Sequence, residues 1–585
     1  MKKIFIPFII IAGIFSSSSC TKDFDGMSEN PYALVTAPAE EYVHPAVFKT
    51  QSCLIDLYRG TISMLVQHAV STNSEIASRV IDNYHIADVT AAGPWQKLYL
   101  QLGNAEAMLN QALKDEDQEM IAIAYILKSF IILNITDIYG NVPYFEAAQM
   151  PLHEEITSYT TKYDDQKDIY RSVVIMLEEA NEILGATEKY GFSAICDKVF
   201  DGDFAQWRRF GNSIYARVLM RIGMKVIEED GGIFELGDDK WEAISVKSKL
   251  GELYSCFMNA GGDYPQMRSI DDRPKVPFST LNETEHTPFF STTSGNWNVV
   301  AVCDVLTRRM LDYTTKVDSQ NITYYEYRAS SDGGHIEDPR YDCWWRKANG
   351  MPTQLFNDQR KTFLDAPEHK SSAGNSKIGR MVRGKNANGE PEPSIITGKV
   401  YDLQNADFYP LMQYSELPFI YAEAGARGWI PSISGLGAYL GLFKQGITNS
   451  ILEWNPYVTA DDPDVIAYVN YCAATEKYSG ETFNSDNAVE AILTQKWLSQ
   501  FFIGIEPWCD YRRTGYPILK TNGPAADNDC ILPTRFRYPT DELYRNPVYY
   551  PEAVNGWLGG TDNIQTDVWW ADTQESKEIR LLGRQ

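Results

Sequence analysis

The chain has 585 residues and carries 53 Lys and Arg against 78 Asp and Glu, a net charge of −25. That balance, with no dense basic run, argues against a nucleic-acid partner and disfavours polyanionic substrates, because neutralising phosphates takes clustered cations. Its 44% hydrophobic residues suffice for a sizeable core, and 12% aromatics suit surfaces that hold neutral ligands.

At the start, Met1-Lys2-Lys3, an apolar run from Ile4 to Phe15 and Ser16 to Ser19 precede Cys20. The run is too short to span a bilayer, and small residues before a cysteine predict a lipoprotein signal peptide over 1–19 with lipidation at Cys20. Ser17 stands where such signals usually carry Leu. The other eight cysteines are scattered without a Cys-x-x-Cys pair and read as thiols.

Helical periodicity then predicts pairs of helices. Trp95 to Leu113 and Gln118 to Tyr139 form the first pair; the second member is apolar enough to be a buried core helix, but Lys128-Ser129 interrupts it. Gln166 to Leu184 and Phe204 to Ile222 form the next, with Gly140 and Gly185 placed as helix stops. Leu411 to Gly428 pairs with Leu436 to Ile451, and Ala488 to Phe502 opens a fourth pair. Irregular spacing rules out a strict 34-residue repeat, so the expected fold is mainly α, a tetratricopeptide-like array with large insertions. The largest insertion, about 228–410, is rich in Gly, Asn, Ser, Asp and aromatics, and the tail after Asn522 shows little helical period.

No motif announces catalysis. The seven histidines form no His-Glu-x-x-His set, and there is no Gly-x-Ser-x-Gly elbow, phosphate loop or dinucleotide fingerprint. No metal or cofactor is therefore expected, and the acidic turns at 461–464 and 527–529 read as solvated turns. A glycosidase needs only two carboxylates, which any acidic chain can offer, so that alternative stays open but weakly supported.

Several strings are specific. They are Tyr139 to Tyr144 (YGNVPY), Trp207 to Ser213 (WRRFGNS) with Arg217 and Met220-Arg221, Asp338-Pro339-Arg340, Glu416, Glu423 and Arg427, Gly446-Ile447 with Ser450, Gln495-Lys496-Trp497, Glu506-Pro507-Trp508, Tyr511 to Pro517, Tyr538-Pro539 and Trp569-Trp570. In this order they resemble the SusD/RagB family of outer-membrane nutrient-binding lipoproteins. Thr21 to Asp25 resembles the acidic tag that exports Bacteroidetes lipoproteins to the cell surface. The resemblance implies a single compact ligand-binding domain over 20–585, with helix pairs about 95–224 and 411–517. It also implies a lipid anchor in the outer membrane, a SusC-like TonB-dependent transporter as partner, an oligosaccharide or peptide ligand, and no catalysis.

Most signature residues read as scaffold: Trp207, Trp497, Trp508 and Trp569 as core, Glu423 and Arg427 as an ion pair, and Arg512-Arg513 as a stack and carbonyl cap beside Trp508. For ligand contact, a pyranose needs an aromatic face and amides within one loop. Asn296-Trp297-Asn298 and Asn83-Tyr84-His85 offer both, and Tyr324, Tyr325, Trp344 and Trp345 are further candidates.

Overall fold

The computed structural model describes residues 37–72, 81–147, 160–259, 261–277, 300–311, 313–318, 321–327, 336–344, 350–366, 408–455, 458–474, 482–526 and 528–585. Cys20, Asn296, Trp297, Asn298 and Trp345 lie outside these residues.

The helices of eight residues or more are, in chain order, α1 (Val43–Leu57), α2 (Asp88–Lys114), α3 (Gln118–Tyr139), α4 (Gln166–Ala186), α5 (Phe204–Asp230), α6 (Val246–Asn259), α7 (Asn357–Asp365), α8 (Glu416–Ala426), α9 (Leu436–Trp454), α10 (Pro463–Ala474), α11 (Ala488–Ser499), α12 (Glu506–Thr514) and α13 (Gln574–Leu582). Each of α1 to α5 packs on the next, and α8 packs on α5, α9 and α11, so the array resumes after the insertion. Four two-stranded antiparallel sheets decorate it among the described residues.

Local chemistry explains the boundaries. Asp117 caps α3 by accepting from the Met120 N–H at 3.3 Å, and Gly140, at φ 88°, ends it. Although α3 is long and apolar enough to cross a membrane, 89% of its most apolar window is buried in the protein, as a central helix requires. Asp203 caps α5 at the Ala205 and Gln206 N–H groups, and Gly231 closes it in the left-handed region. Two expectations change: Gly185 lies inside α4, which runs on to Ala186, and the tail carries α13. A Cβ at Gly185 would sit 2.7 Å from the Arg208 guanidinium, which would have to shift.

The signature residues form a buried ionic lattice that ties the array together. Arg217 of α5 grips Glu416 of α8 at 2.8 and 2.7 Å and reaches Glu506 of α12 at 3.3 Å. Arg221 joins Asp137 of α3 to Glu506, and Lys496 of α11 meets Asp510 at 2.9 Å. Arg513 takes Glu423 in a fork of 2.7 and 2.7 Å, and Arg427 adds a contact of 2.8 Å. Arg512 stacks 3.6 Å above Trp508 and donates to the Asp137 carbonyl at the C-terminal end of α3. Trp207, Trp497 and Trp508 are buried, as is Trp570, whereas Trp569 is half-buried against Phe234. Replacing any one partner strands a buried charge.

Asp338-Pro339-Arg340 pins the insertion to the array. Arg340 chelates Asp338 and donates to Ser450 of α9 at 2.9 Å and Gln495 of α11 at 2.7 Å, while Tyr468 of α10 donates to Asp338 at 2.7 Å.

Candidate functional site

Strand Ala69–Ser71 pairs antiparallel with Val300–Val302, so the segment that follows Asn296-Trp297-Asn298 in the chain is joined to the segment before Asn83-Tyr84-His85. The Ser71 N–H donates to Asp82 at 3.4 Å. Arg360 of α7 then donates to Asp82 at 3.1 Å, to Asn83 at 3.4 Å, and to the Ser71 carbonyl. Gln354 completes the knot: its amide donates to the Tyr84 hydroxyl at 2.5 Å and to the Lys520 carbonyl at 3.1 Å, and accepts from the Gly523 N–H at 2.6 Å. Two regions more than 200 residues apart in sequence thus meet on one side of the array.

Within this knot Asn83 and Tyr84 are buried, Tyr84 in the left-handed region at φ 68°. As placed they hold the turn and do not face solvent. His85, next along, is only half-buried.

A hairpin beside the knot carries a partly exposed aromatic face. Strands Tyr313–Val317 and Thr323–Tyr327 pair with Thr315 opposite Tyr325, so Tyr313, Thr315, Val317 and Tyr325 share one face. Tyr313 meets Tyr325 edge-on with ring centroids 5.0 Å apart, and the Arg308 guanidinium lies 4.8 Å over Tyr325 and donates to its hydroxyl at 3.3 Å. Burial pushes the Tyr325 phenol up, against Arg308, so the hydroxyl stays protonated at neutral pH. Tyr324 points the other way, buried against Phe363. The bridges Tyr325 to Gly350 and Cys303 to Met351 fasten the hairpin to the Val300–Val302 strand. Gly350 permits that approach, because a Cβ there would come within 2.2 Å of the Asp304 Cα.

Trp344 is core: it is 2% exposed and stacks on Phe501 at 4.4 Å, with Trp454 edge-on at 5.4 Å. Arg308, Tyr313, Gln354 and Arg360 escaped the sequence reading; the alternation Y-T-T-K-V and T-Y-Y-E-Y around a polar turn was the signal for the hairpin, whereas nothing local marks Gln354 or Arg360.

The arrangement offers partly exposed aromatic rings and a guanidinium held over one of them, which suits a polar ligand. Its acids are already committed: Asp82 is held by Arg360, and Asp304 is buried, which pushes its carboxyl up despite Arg308. Among the described residues no three His, Cys, Asp or Glu side chains cluster as a metal site.

A family model described as "Starch-binding associating with outer membrane", SusD-like, matches residues 35–231 and 314–539. The chain belongs to the SusD-like family. The matched stretches hold the helical array and exclude the segment around Trp297. Among curated proteins, none matches in sequence. The structure is similar to a SusD homolog from Parabacteroides distasonis, 18% identical with a TM-score of 0.66, covering 91% of this chain and 97% of that one. It is similar to a chitin-binding SusD homolog from Flavobacterium johnsoniae, 18% identical with a TM-score of 0.64, covering 92% and 99%. A SusD homolog from Bacteroides fragilis is 20% identical with a TM-score of 0.59, covering 90% and 100%. At these identities the likeness establishes the SusD-like fold.

Proposed function

We propose that this SusD-like protein is a cell-surface lipoprotein, anchored in the outer membrane through Cys20, which captures an oligosaccharide and hands it to a SusC-like TonB-dependent transporter without cleaving it. The observation that carries the reading is the convergence of the 81–85 turn, the Val300–Val302 strand and the Tyr313/Tyr325/Arg308 face on one side of a rigid array. Membership of a family described as starch-binding and the likeness to a chitin-binding homolog support a glycan as the ligand class. In this reading Tyr325 and Trp297 stack on sugar faces, Asn296, Asn298 and His85 exchange hydrogen bonds with hydroxyls, and the buried Tyr84, Asn83, Tyr324 and Trp344 hold the platform.

The test is a thermal-shift screen of the chain against neutral glycans, charged glycans and peptide pools, with products assayed for each positive. Ligand at about 100 times its Kd adds about 2.7 kcal/mol of stability. A shift with one neutral glycan class and no products supports glycan capture. A shift with peptides alone moves the ligand class to peptides, and turnover makes the protein an enzyme.

A further inference from the structure

A pocket of about 900 Å³ opens where the end of α4, the start of α5 and the 261–268 segment after α6 meet. It shares no residue with the glycan face. Lys189, Arg208, Arg209 and Arg268 line it, against Glu188 and Asp203, in a chain whose net charge is −25. Lys189 is paired with Glu119 at 2.7 Å, and Asp203 is occupied in capping α5. What remains is three guanidinium groups and one exposed carboxylate, Glu188.

Elsewhere in the fold, arginines such as Arg217, Arg340 and Arg513 fork onto carboxylates at close range. The pocket arginines differ. Arg208, half-buried, donates through Nε to the Asn181 amide oxygen at 2.9 Å and through Nη2 to the Asp263 backbone carbonyl at 2.7 Å, both neutral acceptors. Burial lowers its guanidinium despite the nearby Asp263 carboxylate. Its Nη1 has no partner among the described residues and is not closed off by its neighbours. Two hydrogen bonds thus hold Arg208 in place before any guest arrives, which reduces the ordering cost of binding. Arg268 is exposed and its side chain has no partner among the described residues. Arg209 has only Asp272, at 3.6 Å.

Tyr190 is the second observation. It lines the same pocket and is 95% exposed, while its carbonyl is fastened to the start of α5 by the Phe204 N–H at 3.2 Å. A free aromatic ring on an anchored backbone therefore stands beside guanidinium groups that lack a carboxylate. A sugar acid needs both, a ring for its apolar face and a planar cation for its carboxylate.

We propose that this pocket is a second glycan site, for an oligosaccharide carrying a uronic-acid residue, whose carboxylate is held by Arg208 and Arg268 while Tyr190 packs on a sugar ring. The volume exceeds what a free carboxylate needs and admits a disaccharide. One carboxylate offsets the local surplus of positive charge, so no polyanion is required.

The test is isothermal titration of the full chain at fixed ionic strength with galacturonate and glucuronate disaccharides, the same disaccharides with their carboxyl groups reduced to alcohols, and acetate. Each is repeated on Arg268→Gln, Tyr190→Ala and Tyr325→Ala. At least one uronate disaccharide should bind, and its reduced form should bind at least tenfold more weakly. Arg268→Gln should weaken uronate binding about tenfold, as expected for a hydrogen bond between charged groups, and Tyr190→Ala by a similar factor. Tyr325→Ala should leave it unchanged, so the result is separable from the fate of the glycan face. No uronate binding, equal binding of the reduced form, or unchanged binding in both Arg268→Gln and Tyr190→Ala would overturn the proposal. Acetate binding as tightly as the disaccharide would reduce the site to a bare anion site, and loss in Tyr325→Ala alone would move the sugar acid to the other face; either result overturns it. Arg268 and Tyr190 are both exposed, so neither variant removes a buried contact of the scaffold.

Discussion

Arg360 donates to Asp82 at 3.1 Å across 278 residues of chain, with both side chains fully buried. The contact ties the insertion to the turn between α1 and α2, beside the face proposed to hold the ligand. Arg360→Met leaves the buried Asp82 without a cation, held only by the Ser71 and Gln354 N–H groups at 3.4 Å each. Breaking a buried pair from one side costs about 3–5 kcal/mol. Chemical denaturation should show a loss of that order, and glycan binding should weaken with it. Asp82→Asn in the Arg360→Met background should recover part of the stability.

Glu423 reports on the central lattice. Burial alone would raise its carboxyl, but Arg513 and then Arg427 outweigh it and hold the carboxyl below its ordinary 4.5. A carboxylate with a depressed folded value contributes stability that is fully present above its unfolded value and is lost as pH falls through the folded one. Melting temperature should therefore fall as pH drops below about 4.5. Glu423→Gln should melt lower at pH 7, by about 3–5 kcal/mol of stability, and show a shallower acid limb.

His68 carries the opposite kind of information. Burial, with Arg309 adding to it, lowers its imidazole from 6.5 to about 3, against a hydrogen bond at Trp497. The Tyr58 hydroxyl shares a hydrogen bond with its Nδ1 at 2.6 Å, and the ring lies 4.2 Å from the Trp497 indole. The folded protein resists protonating His68 while the unfolded chain takes a proton near 6.5, so stability falls as pH drops from 6.5 toward 3. The full effect is on the order of 5 kcal/mol. By NMR the His68 ring should not titrate between pH 8 and 5, and a midpoint near 6.5 would refute the burial argument.

Gly140 tests the packing of the array's first corner. Its φ of 88° is unfavourable for any side chain, and a Cβ would come 2.3 Å from the Trp557 indole. Gly140→Ala should cost about 1–3 kcal/mol by denaturation. In a Trp557→Leu background the cost should shrink but not vanish, because the backbone strain remains.

Much of the scaffold was readable because its signals are local. The limits of α3, Gln118 and Tyr139, follow from Asp117 before it and Gly140 after it. The expected Glu423 to Arg427 pair and the Arg512 stack over Trp508 are present. α1 was not foreseen, since Pro45 in its first turn and polar residues between its apolar ones blur the period. The ligand face was harder. Tyr84 reads from its neighbours, Asn83 and His85, as a ring beside polar groups, yet its hydroxyl is held by Gln354, 270 residues away. A loop's composition cannot reveal a partner so remote. Tyr324 and Tyr325 are adjacent and chemically identical, and only the strand pairing decides that one is core and the other faces outward.

Isothermal titration of the full chain with the neutral oligosaccharide that raises its melting temperature most, set beside Tyr325→Ala and Trp297→Ala, tests the central claim most directly. Loss of a sugar-stacking ring is worth about 1–3 kcal/mol by analogy with other ring-stacking sites, so each variant should bind at least tenfold more weakly while melting at the same temperature. Unchanged affinity in both variants, or consumption of the oligosaccharide during the titration, would contradict the assignment of this face to glycan capture.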